Sequence, residues 1–415
     1  MRAHLFGRLI PAEVARRRLL AATVPIDRVE PVALSEAFGR VAARPFRAPR
    51  PVPSFARATW DGYAVRSSDL RAARRSRPVA LRIVGDVYAE GRFTGRIRPG
   101  EAVAIATGGA LPAGADAVEI FEEVDRRGGS VLLYGPVRPG ARIAPIGDDL
   151  RRGERLVARG ELLGPATLGA VAATGQARLP VYARPIVTLV ANGNELRPPG
   201  ARARRGEIYE SNNAALAAVV RAAGGEPRTL PPLPDDPGAI ERALRAAVRT
   251  SDLVLATGGS SVGERDHLPR ILPRLGRLLF HGVAVRPGKP TLAARADDCL
   301  VVGLPGHPTS CLLNMYWLVL PALRRRGRLP GPGWTVRPMR LDGSIPAAGA
   351  GMASVVPLAL RGGRVRSTFR GSSAIQSLRG AVGFAFRPPG SPAVAEGAVL
   401  PVHLLDPPLG PAANG

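Results

Sequence analysis

The sequence predicts a multidomain α/β and β protein: a central three-layer α/β domain with a parallel-type sheet, a β-rich inserted domain, an extended helical domain and a carboxy-terminal β domain. Three observations carry this. Strand-like and helix-like segments alternate from about residue 185 to residue 323, which implies a parallel sheet covered by helices on both faces. Short apolar runs broken by frequent turns fill residues 55–148 and again 335–407, as expected of β domains. Helical stretches before and after the first of these β regions make it an insertion within a helical domain. The resulting boundaries are 1–54 with 149–183 (extended helical), 55–148 (inserted β-rich), 184–328 (α/β), 329–407 (carboxy-terminal β) and a tail at 408–415.

Within the α/β region, PIVTLVA (residues 185–191) is an apolar, β-branched run closed by a Gly/Asn turn, hence a buried strand. A helix follows from Ser211, where SNN offers a cap, and stops at Gly224-Gly225. A second helix begins with Asp236 as cap and Pro237 in its first turn. The strand DLVLA, the loop TGGSSVG, a short helix from Asp266, the strands LLFHGVAV and DCLVVGL, and a helix over Pro308–Leu323 complete the pattern. Pro165 opens and Gly175 closes a further helix in PATLGAVAAT.

The chain has 415 residues, 45% of them hydrophobic, which is enough for several packed cores. Its longest apolar stretch, Cys311–Leu323, is interrupted by Asn314 and falls short of the roughly 20 residues of a membrane-spanning helix. The arginine-bearing amino terminus lacks the clean apolar block and cleavage site of a secretory signal. Only Cys299 and Cys311 are present, which argues against a disulfide framework or a thiolate zinc site. A cytoplasmic protein without a membrane span is expected.

The formal charge is +25, but Lys289 is the only lysine among 58 cationic residues. So thin and uniform a spread of arginine reads as compositional drift and a solvated surface, not as a nucleic-acid footprint. Against that drift Lys289 stands out in VRPGKP, because a compact ammonium and a planar guanidinium are not interchangeable against an oxyanion or phosphate. TGGSSVGERDH follows a buried strand and offers Gly258, Gly259, Ser260 and Ser261 as backbone and hydroxyl donors for an anion. GLPGHPTS leaves another strand and brings Gly306 and Ser310 to the same sheet edge. Three glycine-bearing loops at one edge favour a phosphorylated or otherwise anionic ligand.

With these residues in view the chain resembles the molybdopterin molybdenumtransferases, the MoeA and gephyrin E-domain family of molybdenum insertases. PSFARATWDGYAVR, ATGGALPAGADAV, GDDLRRGERL, ANGNELRPPG, GEIYESNN, LATGGSSVGERDH, VRPGKP, GLPGHPTS and GSSAIQSL occur in that family's order and spacing, over about residues 10–405. The resemblance implies a homodimer whose cleft joins the molybdopterin-binding α/β domain of one subunit to the β insertion of the other. It implies insertion of molybdenum from molybdate into adenylylated molybdopterin, with release of AMP and with Mg²⁺ present. It places catalytic roles on Asp61, Glu195, Asp266 and Lys289, and metal contacts on Asp61, Asp149 and Glu195. Ligand contacts fall on Thr107, Gly258, Gly259, Ser260, Ser261, Arg286, Gly306, Ser310 and Ser372. Other cofactor-biosynthesis proteins and apo-molybdoenzymes are the further partners it suggests.

Several positions depart from the family pattern: Trp60 precedes Asp61 in place of Met, Asn194 replaces an acid, His307 replaces Asn, and Arg286 replaces one lysine. Gly282 stands where another cation is expected, and GMASVVPLAL lacks an arginine. These losses keep a second reading open, a diverged non-catalytic paralogue that carries molybdopterin or finished cofactor. His267, His281 and His307 fall within 41 residues; replacement of lost donors or ordinary packing is expected of them before a metal site.

Overall fold

The computed structural model describes residues 9–260 and 266–406. The chain divides into two compact units, one of residues 1–30, 39–41 and 180–415 and the other of residues 31–38 and 42–179.

The larger unit contains a six-stranded sheet in the order Glu226–Thr229, Ile186–Ala191, Leu253–Thr257, Cys299–Leu304, Leu292–Ala296, Arg277–His281. Its first four strands are parallel, whereas Leu292–Ala296 runs antiparallel to both its neighbours. The sheet is therefore mixed, a correction to the parallel-type sheet the alternation implies. The cause is local. Asp297-Asp298 joins Leu292–Ala296 to Cys299–Leu304 as a two-residue hairpin, with Asp297 left-handed at φ 52°, and only antiparallel neighbours can be joined so tightly.

Helices cover both faces, as alternation predicts. Ala12–Ala22, Asn212–Ala222 and the helical run Pro308–Arg326 pack on one face, and Pro237–Thr250 with Leu268–Leu275 on the other. Asp236 caps its helix by accepting from the Ala239 N–H at 2.5 Å. Ser211 makes no such bond. The Glu210 carboxylate serves instead, accepting from the Asn213 N–H at 2.8 Å. The run Pro308–Arg326 contains a π-turn at Met315–Val319, which takes up an extra residue just before Pro321, whose missing N–H could not have closed an α-helical bond.

LLFHGVAV is two strands instead of the single one expected. Arg277–His281 ends in the α/β sheet, and Val283–Arg286 joins a second sheet, ordered Ile10–Pro11, Val283–Arg286, Ala353–Arg361, Ala381–Arg387, Val399–Leu405, Trp334–Arg340. Between them Gly282 sits at φ 86° and donates its N–H to Thr291 O at 3.0 Å, a backbone conformation that a side chain would strain. The consequence is functional: VRPGKP becomes the crossing from one sheet to the other.

An ion cluster in this unit is centred on the buried Asp252. Asp252, 2% exposed, accepts from Arg28 at 2.8 and 2.9 Å, from Arg326 at 3.0 Å and from the Ile186 N–H at 2.8 Å.

In the smaller unit a six-stranded sheet runs Ala117–Ile120, Gly62–Val65, Glu101–Ile105, Val79–Val87, Ser130–Leu133, Val124–Arg127. All pairs are antiparallel except Val79–Val87 with Glu101–Ile105. Tyr63 and Val65 enter one core and Ala64 the other, so both faces of this short strand are covered and its residues read as a continuous apolar run. Among the described residues, no helix is long and apolar enough to cross a membrane.

Candidate functional site

Register places the loops. Ala191 lies opposite Thr257, and Thr257 opposite Leu304, so the segments after these three strands leave the sheet at one edge, the carboxyl ends where α/β sheets bind ligands. Asn192–Glu195, Gly258–Ser260 and Pro305–Ser310 therefore share that edge. A Cβ on Gly306 would stand 3.6 Å from Gly258 Cα, and the Gly306 carbonyl accepts from Asn212 Nδ2 at 2.8 Å. The Gly259 carbonyl accepts from the Leu268 N–H at 3.2 Å, tying this loop to the start of the helix that half-buried Asp266 precedes. Ser261 lies outside the described residues.

Asn194 is held in a reciprocal pair: its N–H donates to Asp235 Oδ2 at 3.3 Å and its Oδ1 accepts from the Asp235 N–H at 3.1 Å. The acid missing at position 194 thus has Asp235 as a neighbour, which no motif announced. Glu195 is exposed, and its carboxylate lies against Gly193.

Four of the predicted residues surround one cavity of about 970 Å³: Arg286, Lys289, Ser310 and Ser372. His307 joins them. Ser344, Ser354 and Ser367 add hydroxyls, and no carboxylate lines the space. VRPGKP and GLPGHPTS line it together with Ile345, Pro346, Val355, Val356 and Phe369, and Arg286 is the in-register neighbour of Ser354 in one sheet. The segment without its expected arginine contributes Ser354, Val355 and Val356, so the cation beside them is Arg286 of the neighbouring strand. A cavity with cations, hydroxyls and no acid suits an anion carrying several oxygens.

Asn314, fully buried, explains how VRPGKP holds its shape. Its Nδ2 donates to Ser310 O at 2.7 Å, with Pro287 O at 3.4 Å, and its Oδ1 accepts from Trp317 Nε1 at 2.9 Å. Gly288, at φ 117°, passes so close that a Cβ there would stand 1.7 Å from Asn314 Nδ2. The one polar interruption of the longest apolar stretch is thus a positioning residue for the Lys289 loop.

The three clustered histidines do different jobs. His281 is partly buried and bonds to the Ser260 backbone, and burial lowers its pKa. His307 Nδ1 lies 3.1 Å from Ser372 Oγ. The His267 carbonyl accepts from the Arg270 and Ile271 N–H groups, both at 3.0 Å.

In the smaller unit Gly62 lies opposite Ile105, which brings Asp61 beside Thr107. Asp61 Oδ1 accepts from the Thr107 N–H at 2.7 Å and from its hydroxyl at 2.9 Å. These two bonds, the backbone one foremost, hold the exposed Asp61 carboxyl below its ordinary range. Asp149 is exposed, and its N–H donates to Val52 O at 3.1 Å. Among the described residues no three His, Cys, Asp or Glu side chains gather as a metal-binding group. Exposed carboxylates are the kind of oxygen donor that a hard divalent cation takes.

Residues 10–175 match the family model described as the MoeA N-terminal region (domain I and II), and residues 188–325 match a probable molybdopterin binding domain. A curated molybdopterin molybdenumtransferase from Synechococcus elongatus is 34% identical over 79% of this chain and 81% of its own length. One from Bacillus subtilis is 33% identical over 76% of this chain and 74% of its own. The chain belongs to the molybdopterin molybdenumtransferase family. It is a transferase with a role in molybdenum cofactor biosynthesis. Its fold is that of a solved MoeA protein described as a molybdopterin biosynthesis protein from Pyrococcus horikosii, with a TM-score of 0.83, 34% identity, and coverage of 96% of this chain and 99% of that one.

Proposed function

We propose that the chain inserts molybdenum from molybdate into adenylylated molybdopterin and releases AMP. The cavity carries this reading: it offers Arg286, Lys289, Ser310 and Ser372 to a tetrahedral oxyanion and sets no carboxylate against it. Hydrogen bonds from Arg286 and Lys289 to an anion are charge-assisted, the stronger kind. Lys289 is the residue we assign to holding the oxyanion in place while two of its four oxygens leave as water, taking up the two thiol protons and two from solvent, and the two dithiolene sulfurs replace them.

The neighbouring Gly258–Ser260 and Gly306 loops would receive the phosphate of the adenylyl group through backbone N–H groups, with Asp266 and Glu195 near that edge to orient it. Mg²⁺ would supply charge neutralisation at the phosphoanhydride, with Asp61, Asp149 and Glu195 as its candidate protein ligands. We assign the working form as a homodimer, because Asp61 and Thr107 sit in the β-rich insertion, which the family pairs with the α/β domain of a second subunit.

The test is reconstitution of purified protein with adenylylated molybdopterin, Mg²⁺ and molybdate, following AMP. Asp266→Ala and Asp61→Ala should each lower turnover by about two orders of magnitude or more with little change in stability. Mixing the two variants should restore about one intact site per heterodimer. Retained binding of molybdopterin without AMP release by the unmutated protein would instead favour a carrier, which the lack of a cation in residues 354–356 would then explain.

A further inference from the structure

His307 belongs to the cavity but to none of the roles so far assigned. Three contacts clamp its loop to the carboxy-terminal sheet: Nδ1 of the ring to Ser372 Oγ at 3.1 Å, the Thr309 N–H to Ser372 O at 3.0 Å, and Thr309 Oγ1 to Ala374 O at 2.7 Å. The two Thr309 bonds fix the backbone without help from the ring. The ring itself is exposed and lines the cavity alongside Lys289 and Arg286. Among the described residues Nε2 takes no protein hydrogen bond.

A neutral imidazole carries its proton on one nitrogen, and the bond at the other decides which. A serine hydroxyl that donates to Nδ1 leaves the proton on Nε2. We infer that His307 Nε2–H is a direct ligand of the oxyanion in this cavity, supplying the donor lost with the cations, and that Ser372 orients it. The inference rests on the proposed oxyanion role of the cavity. It also gives the substitution a role: Ser354, Val355 and Val356 bring no cation of their own to the cavity, and the histidine adds a donor.

Binding of molybdate alone, measured by isothermal titration calorimetry on the full-length protein, provides the test. The amide nitrogen of asparagine at position 307 would overlie Nδ1, keeping the Ser372 contact but losing the outer donor. Glutamine places its amide near Nε2 and keeps that donor. His307→Asn should weaken molybdate affinity about tenfold or more, as expected for one charge-assisted bond, while His307→Gln should stay within about threefold of the unmutated protein. Ser372→Ala should weaken affinity by an intermediate factor.

A His307→Asn variant with unmutated affinity would overturn the inference and leave the oxyanion cavity standing. Equal losses in the Asn and Gln variants, matched by Ser372→Ala, would overturn it in favour of a loop clamp. Failure of the unmutated protein to bind molybdate or tungstate would overturn the cavity reading and this inference with it. Should His307→Asn fold poorly, His307→Gln decides alone: a loss of tenfold or more there counts against the donor role.

Discussion

On the α/β side of the 970 Å³ cavity stand Arg286, Lys289, His307 and Ser310, and on the carboxy-terminal side Ile345, Ser354, Val355, Val356 and Phe369. The first wall is built from loops that leave strand ends, where backbone and side-chain donors converge. The second draws on a sheet, where Ala353–Arg361 gives the consecutive residues Ser354, Val355 and Val356 and no cation of its own, although Arg286 pairs with Ser354 from the neighbouring strand. The difference teaches that cations and apolar surface are unevenly divided between the two sides, with hydroxyls on both. The cations come from VRPGKP, whereas hydroxyls come from both sides, Ser310 from one and Ser354 and Ser372 from the other.

The largest break in this comparison is expected at the lock of the first wall. Gly288→Ala places a Cβ against Asn314 Nδ2 at a φ of 117°, and both effects must be relieved by moving the VRPGKP loop. A loss of about 2–4 kcal/mol in stability is expected, together with loss of molybdate binding. Chemical denaturation and calorimetry check both. Ser354→Ala on the other wall should leave stability within about 0.5 kcal/mol.

Lys289 gives the next effect. Lys289→Ala should cost molybdate binding about tenfold to a hundredfold, and Lys289→Arg should also impair it, because a guanidinium needs more room and fixes its bonds in one plane. Arg286→Lys should be tolerated. Side-by-side affinity and AMP release for Lys289→Arg and Arg286→Lys would decide whether the lone lysine is required or accidental; behaviour of Lys289→Arg like the unmutated protein would make it accidental.

Much of this was legible in the sequence, for identifiable reasons. Strands buried on both faces announce themselves as apolar runs, so Ile186–Ala191, Leu253–Thr257 and Cys299–Leu304 were readable, and their alternation with helices gave the edge where Gly258, Gly306 and Ser310 meet. The mixed character of the sheet was not readable, because a two-residue turn at Asp297-Asp298 looks like ordinary surface. Gly282 reads as a pause within one strand, and only tertiary pairing shows that it divides two sheets. Asn314 carried a signal, a polar residue alone in an apolar run, but its partners Pro287, Ser310 and Trp317 include one that lies 27 residues away. The contact of His307 with Ser372, 65 residues apart, left no local trace.

A smaller, sharpening effect comes from adding a second cation beside Arg286. Ser354→Arg would set a guanidinium into the cavity from the carboxy-terminal side, where Ser354 is half-buried. Molybdate affinity should rise about threefold to tenfold at low ionic strength and lose much of that gain in high salt, as expected of a long, partly solvated cation. No gain at any salt concentration would show that this wall does not face the bound anion.

The smallest effect concerns the pH response of the two sheets behind these walls. In the α/β half, burial works against the charged form of Asp252, but its bonds with Arg28, the Ile186 N–H and Arg326 outweigh that and hold its pKa below the ordinary value. Its contribution is therefore full above the ordinary carboxylate range and is lost only as pH falls through the lowered folded-state value. In the carboxy-terminal half, His403 stacks on Phe384 at 4.8 Å with Nδ1 buried and unpartnered, and burial lowers its pKa. The unfolded chain then binds the proton more readily than the folded one, so stability falls as pH drops below about 6.5, the unperturbed histidine value, toward the lower folded-state value. His403→Phe keeps the stack and removes the titrating ring, and should flatten the pH dependence of Tm between pH 7 and 5 by about 2 °C. An unchanged slope in that variant would place the neutral-pH sensitivity elsewhere, and a slope confined to strongly acid pH would assign it to the Asp252 cluster.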